Sequence, residues 1–493
     1  DLDLANKLNE IWFEKGLWPI DGVTPTPVEC FRTKDGRIFY ANGVIKKTGE
    51  PVFLTGGIDR EYFFDKKEKF HYVGSFDKEE SFPIISCISL RNKIMAWGCN
   101  KSSVFLDKTS KLEILKFISH DNNLEAPFFD VKLNGELTET NIVELLYQQA
   151  SFIESMGIEV GCALSKMRKF KSKSVEYHFS NALSIFWPFF EGKISELGYI
   201  TFNRAFLILS NPSFLSENNN KLNEKYKPLR HLLIDEFQDI SPQIALWIKS
   251  VQLNISQLEL EPSIMAIGDD WQSIYSWRGS SPEIFMNFSR FFPSHKKLNG
   301  CKEIYMMENF RSDEKIIRDA EYLMKRVKNK IDKKACSRRL PDGDETGVNF
   351  IDYATDDKAW IQDVILLINK QLELVSKQNR CDKNKVIVLS RTNSILNDVM
   401  NAGRFSSGVV FHTIHTAKGL QGEIAIILED SRSLLGHTLR NRIYETVDFI
   451  SSSYDDAMTD ESLRLAYVAV TRGVKRVYWF APSNSSGAYS QMK

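Results

Sequence analysis

The sequence predicts an α/β protein built on parallel sheets, joined to a helical block and to a β-rich N-terminal region. Three observations predict it. From Leu229 onward, short continuous apolar stretches alternate with helical ones, at residues 232–234, 264–267, 304–307, 386–389, 409–411, 424–428 and 477–480. Strands that are apolar throughout, rather than at every second residue, are covered on both faces, as in parallel sheets. Residues 138–228 instead repeat apolar side chains three or four apart (Ile142, Leu145, Leu146, Phe152, Ile153, Met156), which is a helical period. Residues 1–137 hold short β-like pieces separated by turn dipeptides. Among them the stretch at 37–41, Asn42-Gly43 and Val44-Ile45 reads as a hairpin closed by a type I′ turn.

Composition narrows the class. The chain has 493 residues, enough for several domains with sizeable cores. Its 64 Lys+Arg balance 64 Asp+Glu, which excludes a grossly basic binder yet leaves local basic surfaces and nucleic acid open. Seven cysteines (30, 87, 99, 162, 301, 336 and 381) are scattered without a CxxC pair, as expected of free thiols in a reducing compartment. The apolar run at 185–190 is too short to span a bilayer, and the first residues carry neither the basic nor the apolar part of a signal peptide. The expectation is a cytoplasmic protein with no membrane partner, processed or truncated at an N-terminus that lacks Met.

Within the helical block, Lys166, Arg168, Lys169, Lys171 and Lys173 put five cations into eight residues. The first apolar strand of the α/β part then runs into Asp235, Glu236, Phe237, Gln238 and Asp239. Two adjacent carboxylates at a strand end suit a Mg-nucleotide site, the first holding Mg²⁺ and the second polarising the attacking water, although a bare pair is as often a solvated acidic loop. The next strand runs into Gly268, Asp269, Asp270, Trp271 and Gln272, then Tyr275, Trp277, Arg278 and Gly279. Gln272 is an uncharged group able to sense a γ-phosphate, and Tyr275 and Trp277 with Arg278 form a stacking platform for nucleobases. In open α/β sheets ligands sit beyond the carboxyl ends of the strands, so these junctions are the expected site.

These two stretches resemble motifs II and III of the superfamily 1 helicases of the UvrD/Rep type, and most resemble the helicase IV branch. Glu308-Asn309-Phe310-Arg311-Ser312 is similar to motif IV. The stretch from Phe411 to Gln421, with Thr413, His415 and Lys418, is similar to motif V. Glu461, Arg464, Tyr467, Thr471 and Arg472 stand where motif VI has its counterparts. The resemblance implies two RecA-like lobes, the first incomplete or atypical, and this division: 1–137 a β-rich region of unassigned function, 138–228 a helical 1B-like subdomain, 229–302 lobe 1, and 303–493 lobe 2 without the large 2B insertion of full-size relatives. It also implies ATP and Mg²⁺ as cofactors. Asp235 resembles the Mg²⁺ ligand, Glu236 the catalytic base, Gln272 the γ-phosphate sensor, and Arg311 and Arg472 the arginine fingers. Tyr275, Trp277, Arg278, Thr413, His415 and Lys418 resemble contacts to single-stranded or partly duplex DNA. Gln421 departs from the usual glutamate, as it does in helicase IV-like members. The basic run at 325–334 reads either as a phosphate-contacting surface or as a solvated helix face.

One element of such an engine is absent from the sequence. No G-x-x-x-x-G-K-[ST] loop occurs to hold the phosphates. The nearest stretch, Ala41 to Thr48, has Lys46 where the second glycine belongs, and Asp130-Val131-Lys132 only superficially echoes a nuclease pair. Three readings follow: an upstream segment supplies the loop, a protein partner supplies it, or the chain is a non-hydrolysing DNA-binding or scaffold subunit with a degenerate ATPase site. The expected activity is that of an ATP-dependent DNA helicase or single-stranded DNA translocase in repair or anti-phage defence.

Overall fold

The computed structural model describes residues 28–32, 38–41, 43–44, 51–52 and 71–76, and then 104–121, 133, 142–171, 174–211, 214, 226–258, 260–294, 300–339, 347–354, 359–377, 385–429, 436–485 and 487–493. The expected strands near 84–97, the Lys46–Thr48 and Asp130–Lys132 stretches and Lys173 lie outside these residues. The chain divides into two compact units, Asp1–Ser102 and Ser103–Lys493.

In the first unit β1 (Val28–Arg32) pairs antiparallel with both β2 (Ile38–Ala41) and β5 (His71–Phe76), in the order β2-β1-β5. The next two strands, β3 (Gly43–Val44) and β4 (Pro51–Val52), pair with each other. Asn42 lies outside the described residues, and no pairing between β2 and β3 occurs among the described ones. The two arms expected of the Asn42-Gly43 hairpin pair elsewhere, β2 with the strand before it and β3 with the strand after it.

The second unit opens with β6 (Val104–Phe105) and α1 (Lys108–Asp121), which packs on α2 (Ile142–Ser155). The break between units thus falls earlier than residue 137. Next come α3 (Val160–Lys166), α4 (Val175–Glu196), β7 (Tyr199–Ile200) and α5 (Phe202–Ser210). Ser174 and Thr201 cap α4 and α5 by accepting from the N–H groups of Tyr177 and Arg204, which meets donors the first helical turn cannot. Leu145, Leu146, Phe152, Ile153, Phe179, Leu183 and Phe190 close the core of this block. Leu439, Ile443, Tyr444 and Tyr454, far along the chain, complete it.

Glu154 sits inside this apolar block with neither carboxylate oxygen hydrogen-bonded. Burial first and the Glu191 charge second push its pKa up to about 8, against the pull of Arg204. The folded pKa lies above the unfolded one, so the folded protein takes up a proton between about pH 4.5 and 8 and loses stability as pH rises through that window. Glu154→Gln should remove that slope and raise stability at pH 8.5 by on the order of 2–4 kcal/mol. Urea midpoints at pH 5 and 8.5 measure it, and an unchanged pH slope in the variant would show that another group carries it.

The remainder holds two parallel sheets. β8 (His231–Ile234) and β9 (Ser263–Ala266) pair in parallel, with α6 (Pro242–Gln257) between them in sequence. One face rests on Phe237, Ala245 and Ile284, with Ile234 and Ala266 packed against them. The other face presents Leu233 and Met265, which are 73% and 52% exposed.

The stretch at 304–307, expected as a strand, is irregular and exposed. Only the residues just after it form β10 (Glu308–Asn309), ahead of α7 (Glu314–Met324), and β10 pairs with β11 (Cys336–Ser337). Its apolar composition had no covering surface to recruit it into a sheet.

The second parallel sheet comprises β12 (Gly347–Tyr353), β13 (Val386–Ser390), β14 (Val409–Thr413), β15 (Gly422–Leu428) and β16 (Gly473–Pro482) in the order β12-β16-β15-β13-β14. Val386 and Val388 of β13 face a core with α8 (Ala359–Ser376) and α9 (Asn393–Ala402). Ile387 and Leu389 face the opposite core with α7 and, past α10 (Thr438–Tyr444), with α11 (Tyr454–Val470). Cover on both faces is why these strands read as unbroken apolar runs. No described helix is long and apolar enough to cross a membrane.

Candidate functional site

The site is assembled from loops at the ends of both parallel sheets. β8 delivers Asp235 and Glu236, and Glu236 adopts left-handed backbone (φ 51) that a side-chain-bearing residue occupies only at a cost of about 1 kcal/mol. The Asp235 carboxylate accepts the Glu236 N–H at 2.8 Å and fixes this turn. β9 delivers the 268–279 loop. The main chains of the two strand ends are knit together, Phe237 N–H donating to the Ile267 carbonyl at 2.9 Å. Gly268 leaves room for this network, since a Cβ would fall 2.4 Å from the Gln238 Oε1 and displace it.

From this junction a polar chain runs through the molecule. Gln238 Nε2 donates to Glu236 Oε2 at 2.6 Å, and Gln238 Oε1 accepts the Asp269 N–H at 2.9 Å. Asp269 Oδ2 accepts from Gln272 Nε2 at 2.7 Å, which turns Gln272 Oε1 towards Arg472 Nη2 at 3.4 Å. Arg472 is almost wholly buried just past the end of α11. It donates also to the carbonyls of Val468 and Leu420, at 2.9 and 3.1 Å. Burial first and the neighbouring Arg311 charge second pull its pKa down to about 9, so it stays a cation at neutral pH. Arg311 is set by Asn309, whose side chain accepts the Arg311 N–H at 2.9 Å, and its Nε donates to Gln421 Oε1 at 2.9 Å.

Acids and arginines thus approach from different sheets. Asp235, Glu236 and Asp269 follow the carboxyl ends of β8 and β9. Arg311, Gln421 and Arg472 gather where β15 and β16 begin, the Gly422 N–H donating to the Arg472 carbonyl at 3.0 Å. Thr413 and His415 lie at the carboxyl end of β14, whereas Gln421 and Arg472 precede the amino ends of β15 and β16, so the strand-end expectation does not extend to the arginines.

Asp235 is exposed, with one oxygen engaged by the Glu236 N–H. The described residues contain no cluster of three or more metal-ligating side chains. That donor set fits a Mg²⁺ held by one carboxylate, waters and substrate phosphates rather than by an all-protein cage.

Lys418 departs from its expected place among the strand contacts. It turns inward, its side chain 9% exposed, and pairs with Asp239 and, at 3.2 Å, with Glu236 Oε2. It also donates to the Gln272 carbonyl at 3.0 Å. Burial raises the Asp239 pKa and Lys418 opposes the shift. An ammonium between two carboxylates gains far more there than facing solvent.

The basic run at 325–334 is corrected in the same way. Lys328 pairs with Asp456 at 2.9 Å, Lys330 with Asp332 at 3.1 Å, and Lys333 with both Asp269 and Asp270 beneath the Trp271 ring. The run lies past α7, which ends at Met324, so it is not a helix face; three of its cations are paired, Lys330 within the run itself, and Lys325, Arg326 and Lys334 stay exposed.

The aromatic loop lies on the same segment as Gln272. The Arg278 guanidinium stacks 4.4 Å over Trp277 and 5.5 Å from Tyr275. His415 lies behind both rings, 5.8 Å from Tyr275 and 6.2 Å from Trp277. Burial, then Arg391 and Arg278, lower its pKa to about 4, so it is neutral. Thr413 closes a local turn, its Oγ1 accepting the Thr416 N–H. His415 thus packs against both rings of the loop, Thr413 shapes the turn that carries His415, and Arg278 stands exposed.

Two supporting residues were assigned no role from the sequence. Glu461 is buried and accepts the Ser276 N–H at 2.5 Å, and its pKa rises to about 7, chiefly by burial. Arg440 lies buried over the Phe152 ring and donates to Gln149, the Tyr454 hydroxyl and the Trp277 carbonyl. Glu461 could have been read from its place at the head of motif VI, but nothing in the sequence marks Arg440. Gly279 (φ 95) closes the loop against α2, where a Cβ would meet Ser155 Oγ at 1.9 Å.

A parallel α/β frame with acids at one sheet's strand ends and buried arginines facing them is suited to handling a phosphoanhydride. Residues 85–293 match the family model of the UvrD/REP helicase N-terminal domain. Putative ATP-dependent DNA helicase YjcD of Bacillus subtilis is 33% identical over 33% of this chain and 19% of its own length. DNA helicase IV of Escherichia coli is 26% identical over 56% of this chain and 36% of its own, and a probable DNA helicase of Mycoplasma pneumoniae is 26% identical over 58% and 51%. Over these stretches the chain is similar to UvrD/Rep-type DNA helicases, and it spans between about a fifth and a half of the length of the three relatives.

Proposed function

We propose that the chain is the motor part of an ATP-dependent single-stranded DNA translocase or 3′-to-5′ helicase acting in DNA repair or anti-phage defence. The observation that carries this reading is the unbroken polar chain from Glu236 through Gln238, Asp269 and Gln272 to Arg472, on the same loop as Tyr275 and Trp277. Mg²⁺, when bound at Asp235, would neutralise phosphate charge. Glu236 accepts the proton of the attacking water, and Gln272 faces the γ-phosphate. Arg311 and Arg472 stabilise charge on the transferring group, which a planar, permanently charged guanidinium suits. A change at the nucleotide reaches the strand through the few residues between Gln272 and Trp277. Tyr275, Trp277 and Arg278 take the bases, Thr413 and His415 hold them in place, and Lys418 keeps Glu236 and Asp239 paired until nucleotide arrives.

In this reading the two parallel sheets are the cores of two RecA-like lobes, the first incomplete. Its exposed Leu233 and Met265 support that, since parallel strands are ordinarily covered on both faces. The P-loop comes from a further segment or a protein partner. A second reading, a non-hydrolysing DNA-binding or scaffold subunit, is favoured by Lys418, whose ammonium already neutralises the catalytic carboxylate. Calorimetric titration with Mg-ATP tests the chain by itself. Saturable binding supports a nucleotide site held by this chain and counts against the second reading, and no heat up to millimolar nucleotide refutes autonomous ATPase function.

A further inference from the structure

Lys166, Arg168, Lys169 and Lys171 lie outside the site, at the end of α3 and in the connection to α4, and all four are exposed. None forms an ion pair with a described residue, unlike Lys328, Lys330 and Lys333 of the other basic run. Between them Met167 is buried in the core of the helical block and Phe170 packs against it. These two anchors hold the segment down and leave the four cations facing out.

Nothing in the fold explains such a grouping. Exposed cations about 8 Å apart repel by roughly 0.5 kcal/mol per pair in water, a small unfavourable sum. A polyanion would reverse the sign, releasing counterions as each phosphate is met.

Position identifies which polyanion. Gly279, two residues past Trp277, lies against Ser155 and Met156 at the end of α2. From there to Lys166 the chain runs ten residues, seven of them helical, no more than roughly 25 Å. A strand with phosphates about 3.4 Å apart covers that distance in about seven nucleotides.

We propose that Lys166, Arg168, Lys169 and Lys171 form a second DNA contact, binding the phosphates of the strand beyond the Tyr275–Trp277 platform. This rests on the platform's being a strand contact, and the test separates the two. Fluorescence anisotropy is recorded with dT oligomers of about 4 and about 24 nucleotides over a range of salt, for the whole chain and for a variant with all four residues changed to serine. The expected result is at least a tenfold loss of affinity for the long oligomer, a salt slope smaller by about 2, and unchanged affinity for the short one. Undiminished binding of the long oligomer, or equal loss for both lengths, overturns the second contact. Failure of the platform itself shows separately, as short-oligomer binding that Trp277→Ala leaves unchanged.

Discussion

Glu236→Gln should reduce DNA-stimulated ATP hydrolysis by about 10³-fold, the scale on which a positioned general base contributes. Gln238 Nε2, which donates to Glu236 Oε2, can donate equally to the amide oxygen of a glutamine, so the local turn should survive. Asp235, Arg311 and Arg472 are untouched, so Mg-ATP affinity should stay within a few-fold of wild type. The outcome is therefore a fall in kcat with little change in nucleotide affinity, read by steady-state turnover beside calorimetry. Turnover equal to wild type would remove Glu236 as the base. A protein in which neither form hydrolyses ATP would show that the chain does not turn over nucleotide by itself.

Trp277→Ala should weaken single-stranded DNA binding by roughly 10- to 100-fold, because one base–aromatic stack contributes about 1–3 kcal/mol. The substitution also removes the surface on which Arg278 rests at 4.4 Å, so one change disables two elements of the platform. Folding should be affected less. Trp277 is only partly buried, and the loop remains fixed by Glu461 at Ser276 and by Arg440 at the Trp277 carbonyl, which bind main chain rather than the indole. Trp277→Phe, which keeps a ring, should restore most of the affinity. Equal losses for alanine and phenylalanine would mean that the loop, not stacking, holds the strand.

The two effects are linked through the short segment between Gln272 and Trp277. Glu461 and Arg472 belong to one helix and its end. Glu461 accepts from Ser276 at one end of that segment and Arg472 donates to Gln272 at the other. A displacement of α11 therefore cannot move one end without loading the other.

Much of this was legible in the chain. Five of the seven expected strands of the α/β part fall within observed parallel strands and a sixth, 264–267, overlaps one, because burial on both faces leaves an unambiguous mark on composition. The seventh, at 304–307, was indistinguishable from them in composition and failed because a strand also needs a neighbour. The pairing expected across Asn42-Gly43 is absent among the described residues for a related reason, since a turn dipeptide states a local preference while pairing is decided by which strands can meet.

By itself the sequence determined the order and chemistry of the site: two carboxylates after one strand, an uncharged amide and an aromatic loop after the next, and arginines further on. Motif spacing fixes such things locally. Only the tertiary structure decided which charges meet. It turned Lys418 away from the expected strand contact and onto Glu236 and Asp239, matched Lys333 with Asp269 and Asp270, and left Lys166, Arg168, Lys169 and Lys171 exposed, outside any ion pair with a described residue. The reason is physical: a cation's partner is set by distance and burial, and the residues that approach it are tens to hundreds of positions away in the chain.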